Sequence, residues 1–310
     1  MVAAYGALLT ALAIVNDVQL TSLSVAIAIG LALTVSLRGG SVVRDWLPLL
    51  TIALAYEIIR PFSAMVVRNV HVADVISLER SLFGGEIATR ILQTALRPHG
   101  GPDPLAIMAT IVYSIHTVLP LAVGAFLWLR HRRVFYDFMA AMVVLSIGAF
   151  AVYVLVPVAP PWWAAAHGYL TGADGAPLIA YLKPPAIENM AASAGADGRA
   201  IFALIFDQVS PDQVAAFPSL HAAYPFLAFL FARRVLGRSR WLVLAYAAVA
   251  WFSIVYLGDH YVTDVLSGIA AAVFAYGLVT NWDRWRDVLV RMTDGARMRL
   301  TPQPIREDPS

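Results

Sequence analysis

The 310-residue chain contains no cysteine, and only 14% of its residues are charged. Without cysteine there is no disulfide, and no thiolate to act as nucleophile or metal ligand. Charge this sparse, beside 60% hydrophobic residues and a mean hydropathy of +0.71, departs from soluble domains, where about a quarter of residues are charged. The composition places the chain in a bilayer. Also missing are an internal repeat, an inverted hydropathy symmetry and any nucleic-acid-binding signature, so no nucleic-acid partner is expected. Residues 2–15 lack a basic leading region and a clear cleavage site, which argues against a signal peptide there.

What the chain does have is long apolar runs. Stretches near the length of about 20 residues that crosses a membrane fall at 19–37, 47–67, 104–129, 135–157, 218–236, 241–257 and 261–280. Residues 2–15 are a short candidate eighth, with Asn16, Asp17 and Gln19 in a polar hairpin after it. The basic residues orient these runs. Arg38, Arg44, Arg130, Arg132, Arg133, Arg233, Arg234, Arg238 and Arg240, together with six arginines after residue 281, all fall on one side of an alternating threading. By the positive-inside rule that side is cytoplasmic. The expected architecture is all-α: a polytopic transmembrane bundle in the cell membrane, with segments 68–103 and 158–217 outside. Three regions are expected: an N-terminal helix pair (1–45), a catalytic membrane domain (46–280) and a basic cytoplasmic tail (281–310).

The outer segments differ in character. Residues 74–97 alternate apolar and charged positions at helical spacing, which predicts an interfacial helix or a helix pair broken at Gly84-Gly85. The 158–217 stretch is rich in Pro, Gly and Ala with no periodic pattern, which predicts a long functional loop. Trp162 and Trp163 in it fit an interfacial aromatic belt.

Two polar motifs interrupt the apolar background on the outer side. In GDHYVTD, His260 and Asp264 are four apart and meet on one face if helical. A carboxylate there holds the imidazole tautomer and leaves the other nitrogen as a basic lone pair. Gly258 permits a sharp turn or close backbone approach. In FPSLHAAYPF, Pro218 is suited to the first helical position, and Ser219 with the N–H groups after it makes an anion site. His221 in that first turn is placed to protonate a departing oxygen. Pro225 removes a hydrogen bond from the His221 carbonyl and predicts a local kink. His116, alone in an apolar run, is expected to hydrogen-bond between helices. Two histidines and an aspartate also suit zinc, but no second carboxylate or cysteine helps, so neither metal nor cofactor is expected.

PSLHA (218–222) followed by GDHYVTD (258–264) resembles the second and third motifs of the type 2 phosphatidic acid phosphatase superfamily, and more narrowly its inositol-phosphotransferase branch. YEIIRP (56–61) and APPWWA (159–164) look like weaker landmarks. The resemblance implies a six-helix catalytic core, His260 as nucleophile, Asp264 orienting it, His221 as general acid, and Arg60 and Ser219 holding phosphate. Asp259 is a candidate head-group contact. The chain departs from the family pattern by having Ala53 where a lysine is usual and Ile254 where an arginine is usual. Fewer cations suit a singly charged phosphodiester better than a monoester, unless Arg68, Arg80 or Lys183 folds in. The expectation is a lipid phosphotransferase that passes a phospho-head group from a phospholipid to an alcohol through a phosphohistidine. A lipid or polyprenyl phosphate phosphatase using water is the same-site alternative. A transporter is disfavoured because the polar chemistry gathers at one end.

Overall fold

The computed structural model describes residues 44–49, 70–98, 101–116, 118–193 and 215–284. The expected spans 2–15 and 19–37, nearly all of 47–67 including Arg60, and most of the basic tail lie outside the described residues. No strand occurs among the described residues, and four apolar helical segments, one of them (Pro104–Arg130) interrupted midway, are long enough to cross a membrane. The protein is an all-α polytopic bundle.

Helix α1 (Ala73–Leu82) and α2 (Ala88–Leu96) form the expected pair. Gly84 and Gly85 reverse the chain between them at φ +65° and +98°, in the left-handed region that glycine enters without steric cost. Helix α3 (Pro104–Ser114) starts on an Asp103 cap whose carboxylate accepts the Ala106 N–H, with Pro104 at the first position. It does not run on to residue 129 unbroken. The helix stops at Ser114, and α4 begins at Val118 and ends at Arg130. Pro120 explains the interruption, since its ring disfavours helical geometry at the carbonyl four residues back, that of His116.

Helix α5 (Arg132–Leu155) then returns, at 24 residues the longest helix among the described residues. Helix α8 (Leu220–Ala232) has 13 residues rather than the expected span of 218–236, and it runs through Pro225 without ending. It is the central element, packed against α4, α5, α9 (Arg240–Leu257) and α10 (Val262–Thr280). Shielded by these neighbours, ten of its residues are buried.

Among its described residues, the stretch expected to be a patternless loop contains two helices, α6 (Pro161–Ala166) and α7 (Lys183–Ser193). Their shortness hides them: six and eleven residues are too few for a period to emerge. Together with α1 and α2 they form a cap over one end of the bundle. Single parallel bridges from Val158 to His71 and to Ala215 tie its segments together. Trp163 is buried in this cap and stacks on His167 at 3.7 Å between centroids, so it packs inward rather than joining a belt.

Candidate active site

The turn between α9 and α10 is held from three directions. Gly258 caps α9 at φ +87°, and the N–H groups of Asp259 and His260 both donate to the Ile254 carbonyl. From the cap, the Trp162 N–H donates to the Gly258 carbonyl at 3.0 Å and the Leu182 N–H to the Leu257 carbonyl at 3.2 Å. Gln93 of α2 braces the same junction, donating to the Ala180 and Tyr256 carbonyls, each at 2.8 Å. A turn with this many backbone partners holds its side chains in fixed directions.

His260 projects from that turn and is 5% exposed. It precedes the first helical residue, Val262, so the shared-helix-face expectation for His260 and Asp264 is corrected: Asp264 reaches back from the first turn of α10. The His260 Nδ1 to Asp264 Oδ2 distance is 3.5 Å, an ion-pair separation too long for a well-formed hydrogen bond. The firm bond of that oxygen is to the Tyr261 N–H at 2.8 Å.

Ser219 caps α8, its Oγ accepting the Ala222 N–H at 3.3 Å while its own N–H donates to the Asp264 carbonyl at 3.1 Å. Pro218 therefore sits before the cap rather than at the first helical position; Tyr153 of α5 fixes it by donating to its carbonyl at 2.9 Å. With Ser219 and Ala222 engaged, the open N–H donors of this helix end are those of Leu220 and His221.

The His221 and His260 rings, 39 residues apart in sequence, lie side by side: Nδ1 of one is 3.2 Å from Nε2 of the other, with ring centroids 5.2 Å apart. Two tautomer pairs make this a hydrogen bond; the one that keeps His260 Nδ1–H toward Asp264 puts the His221 proton on Nδ1 and the lone pair on His260 Nε2. His260 Nδ1–H then faces Asp264. A basic nitrogen and a proton donor are thus aimed at each other.

Three further groups surround the pair. His116, at the interruption between α3 and α4, does not bridge helices as expected. Its Nδ1 is 2.5 Å from the Tyr113 carbonyl in its own turn, and its ring lies 4.3 Å from that of His221. The Tyr113 ring also stacks on His221, at 4.7 Å. Lys183, at the start of α7, is 4% exposed and reaches in from the cap. Its Nζ lies 2.9 Å from Asp259 Oδ1 and 3.9 Å above the Tyr113 ring. Tyr181 donates to the same Asp259 oxygen at 3.2 Å and stacks on Trp162. Burial opposes the lysine charge, yet Asp259 and the two tyrosines hold its pKa above the ordinary lysine value. Of the three cations that could replace the family's missing pair, Arg68 lies outside the described residues, Arg80 is exposed and Lys183 folds in. Lys183 is the chain's single lysine among many arginines, a rarity visible in the sequence alone. Among the described residues no group of three metal-ligating side chains converges.

A membrane bundle that buries a histidine pair, a carboxylate and a lysine under a cap defines a class of integral-membrane enzymes acting on lipid phosphates. The chain belongs to the PAP2 superfamily, whose profile matches residues 73–278. Phosphoinositol dihydroceramide synthase of Bacteroides thetaiotaomicron is 29% identical over 247 residues, covering 75% of this chain and 76% of the relative. Inositol phosphorylceramide synthase of Candida albicans is 27% identical over 182 residues, 56% of this chain and 36% of that longer protein. These relatives place the chain on the inositol-phosphotransferase-like branch. No solved structure matches it.

Proposed function

We propose that this lipid phosphotransferase moves a phospho-head group from a phospholipid to an alcohol acceptor through a covalent phosphohistidine on His260. The observation that carries the reading is the His221 Nδ1 to His260 Nε2 contact at 3.2 Å. His260 Nε2 attacks phosphorus in line, and the bond from phosphorus to the lipid oxygen breaks. His221, entering the cycle as the imidazolium, gives its Nδ1 proton to the departing alkoxide and becomes neutral. Neutral His221 then takes the proton of the acceptor hydroxyl, whose oxygen attacks the phosphohistidine and releases His260. Asp264 stabilises the imidazolium character that develops on His260. The open N–H groups of Leu220 and His221, with Arg60 and Ser219, hold phosphoryl oxygens. The acceptor fits the lipid alcohols implied by the relatives' names.

The histidine pair must open during this cycle. Nucleophile to phosphorus and leaving oxygen to acid each need about 3 Å, so the two nitrogens move to roughly twice their present distance. The Gly258–His260 turn is braced on three sides, which assigns the movement to the His221 ring.

The test is chemical trapping. Purified protein given a phospholipid labelled in its head-group phosphate should carry acid-labile, base-stable label. His260→Ala should abolish both label and turnover, roughly a thousandfold or more in rate. His221→Ala should slow lipid turnover by about 10²–10⁴, and far less on a 4-nitrophenyl phosphodiester, whose leaving group needs no proton. Label on another residue, or an equal His221→Ala effect on both substrates, rejects the scheme. Release of the free phosphorylated head group in place of a new phospholipid would mark water as the acceptor.

A further inference from the structure

We infer that the buried Lys183–Asp259 pair is the recognition element for a hydroxyl-bearing head group on a phosphodiester, with Lys183 taking a phosphoryl oxygen and Asp259 a head-group hydroxyl. The inference rests on the phosphotransfer reading of the histidine pair and adds the group that selects its substrate.

Three observations converge on it. Asp259 is 6% exposed, and while its Oδ1 accepts from Lys183 and Tyr181, its Oδ2 is buried without a hydrogen-bond partner. A buried carboxylate oxygen left unpaired costs about 1–3 kcal/mol or more, and a hydroxyl donor is what it lacks. Lys183 has three N–H donors: one is given to Asp259, one face of the ammonium is occupied by the Tyr113 ring, and the third is met by the neutral Tyr181 side chain, which a charged phosphoryl oxygen would displace. Finally, the Tyr113 ring that lies 3.9 Å under the Lys183 ammonium stacks on His221 at 4.7 Å, so the Lys183–Asp259 pair stands next to the histidines.

The charge arithmetic sets the substrate class. Ile254, where the family pattern has an arginine, is 1% exposed in an apolar cluster and brings no charge. Lys183 enters from the cap and is already neutralised by Asp259. A pair with no net charge has little to offer a doubly charged monoester. It accommodates a singly charged diester, provided that the head group supplies a hydroxyl to the aspartate. A site built to bond a hydroxyl rejects analogues that lack it, because its buried polar atoms are then stranded.

The experiment compares two donor lipids in mixed micelles, phosphatidylinositol and phosphatidylethanol, which share the diester but differ in head-group hydroxyls. Diacylglycerol release is read for both. Wild-type protein should favour phosphatidylinositol by more than about tenfold in kcat/KM. Asp259→Asn should shrink that ratio by about tenfold or more, an amount equivalent to one charged hydrogen bond. Lys183→Met should lower both substrates by similar factors, mainly through KM. Each single change strands a buried group, so the double variant Lys183→Met/Asp259→Asn, which leaves no lone charge, is measured beside them. It should fold with a thermal transition near wild type and combine the weak KM with the lost ratio. A wild-type ratio retained in Asp259→Asn or in the double variant overturns the recognition role. Failure of the histidine chemistry reads differently: wild-type protein would then release diacylglycerol from neither lipid and carry no label on His260.

Discussion

At the scale of single residues, the site depends on one close approach that no charged or catalytic group reveals. A Cβ built on Gly268 of α10 would lie 2.3 Å from the Ser219 carbonyl oxygen, a backbone atom at the cap of the helix that carries His221. The same crossing carries the Ser219 N–H bond to the Asp264 carbonyl. Gly268→Ala must therefore push α8 and α10 apart. The expected cost is about 1–3 kcal/mol, as for other overpacked cores. Activity should fall more than stability, because the displacement acts on the line joining His221 and His260. Thermal unfolding and lipid turnover measured on the same variant separate the two effects; unchanged turnover would show that the crossing tolerates a methyl group. Gly268 carries no signal in the sequence, since glycine within an apolar helix looks like any small residue until its neighbour is known. His221, His260 and Asp264 are legible because their spacing is itself the chemistry. Lys183 and Asp259 are legible as residues but not as a pair, being 76 positions apart. His116 reads as structural in the sequence because only the third dimension brings its ring to His221.

At the scale of elements, the cap does more than cover the bundle. Glu79 of α1 is fully buried, and its two carboxylate oxygens accept the N–H groups of Val262 at 3.0 Å and Thr263 at 3.2 Å. These are open donors at the start of α10, where the helix dipole also favours a negative group. A cap helix thus caps the start of the helix that follows His260, the proposed nucleophile. Glu79→Ala leaves two buried donors unsatisfied and should destabilise the protein by roughly 1–3 kcal/mol per donor. It should also lower kcat, since α10 sets the position of Asp264. Glu79→Asp is too short by one methylene and should recover little of either. Full activity in Glu79→Ala would mean that water replaces the carboxylate at no cost. Hydropathy predicts α5, α9 and α10 well because each is one apolar run between polar ends. It overruns α8, whose limits come from a serine cap and neighbouring helices, and it joins α3 to α4 because apolar residues continue across the break that Pro120 imposes. The short cap helices escape it altogether.

At the scale of the whole molecule, charge and chemistry separate to opposite ends. One end carries Arg130, Arg132, Arg133, Arg233, Arg234 and Arg240, with ion pairs from Arg132 to Asp45 and from Arg234 to Asp137. The cap and the histidine pair occupy the other. Helix ends rich in arginine stay on the cytoplasmic side, and on that ground we propose that the site opens at the extracytoplasmic surface. The absence of cysteine makes this direction easy to measure, because any thiol introduced is the only one in the chain. Ser81 on α1 and Ser239 beyond α8 are both exposed and lie at opposite ends. With a membrane-impermeant maleimide, Ser81→Cys should label in intact cells and Ser239→Cys only after the membrane is opened. The reverse pattern would place the site in the cytoplasm and require lipid donor and acceptor to be drawn from the inner leaflet. The proposed outward orientation would have a chemical consequence as well. An enzyme facing away from the cytoplasm has no nucleoside triphosphate to draw on, and a phosphohistidine formed from one phosphodiester and discharged into another needs none. On the proposed scheme the bond energy of the donor lipid is carried through His260 to the product, so transfer would run close to equilibrium with its direction set by the supply of acceptor.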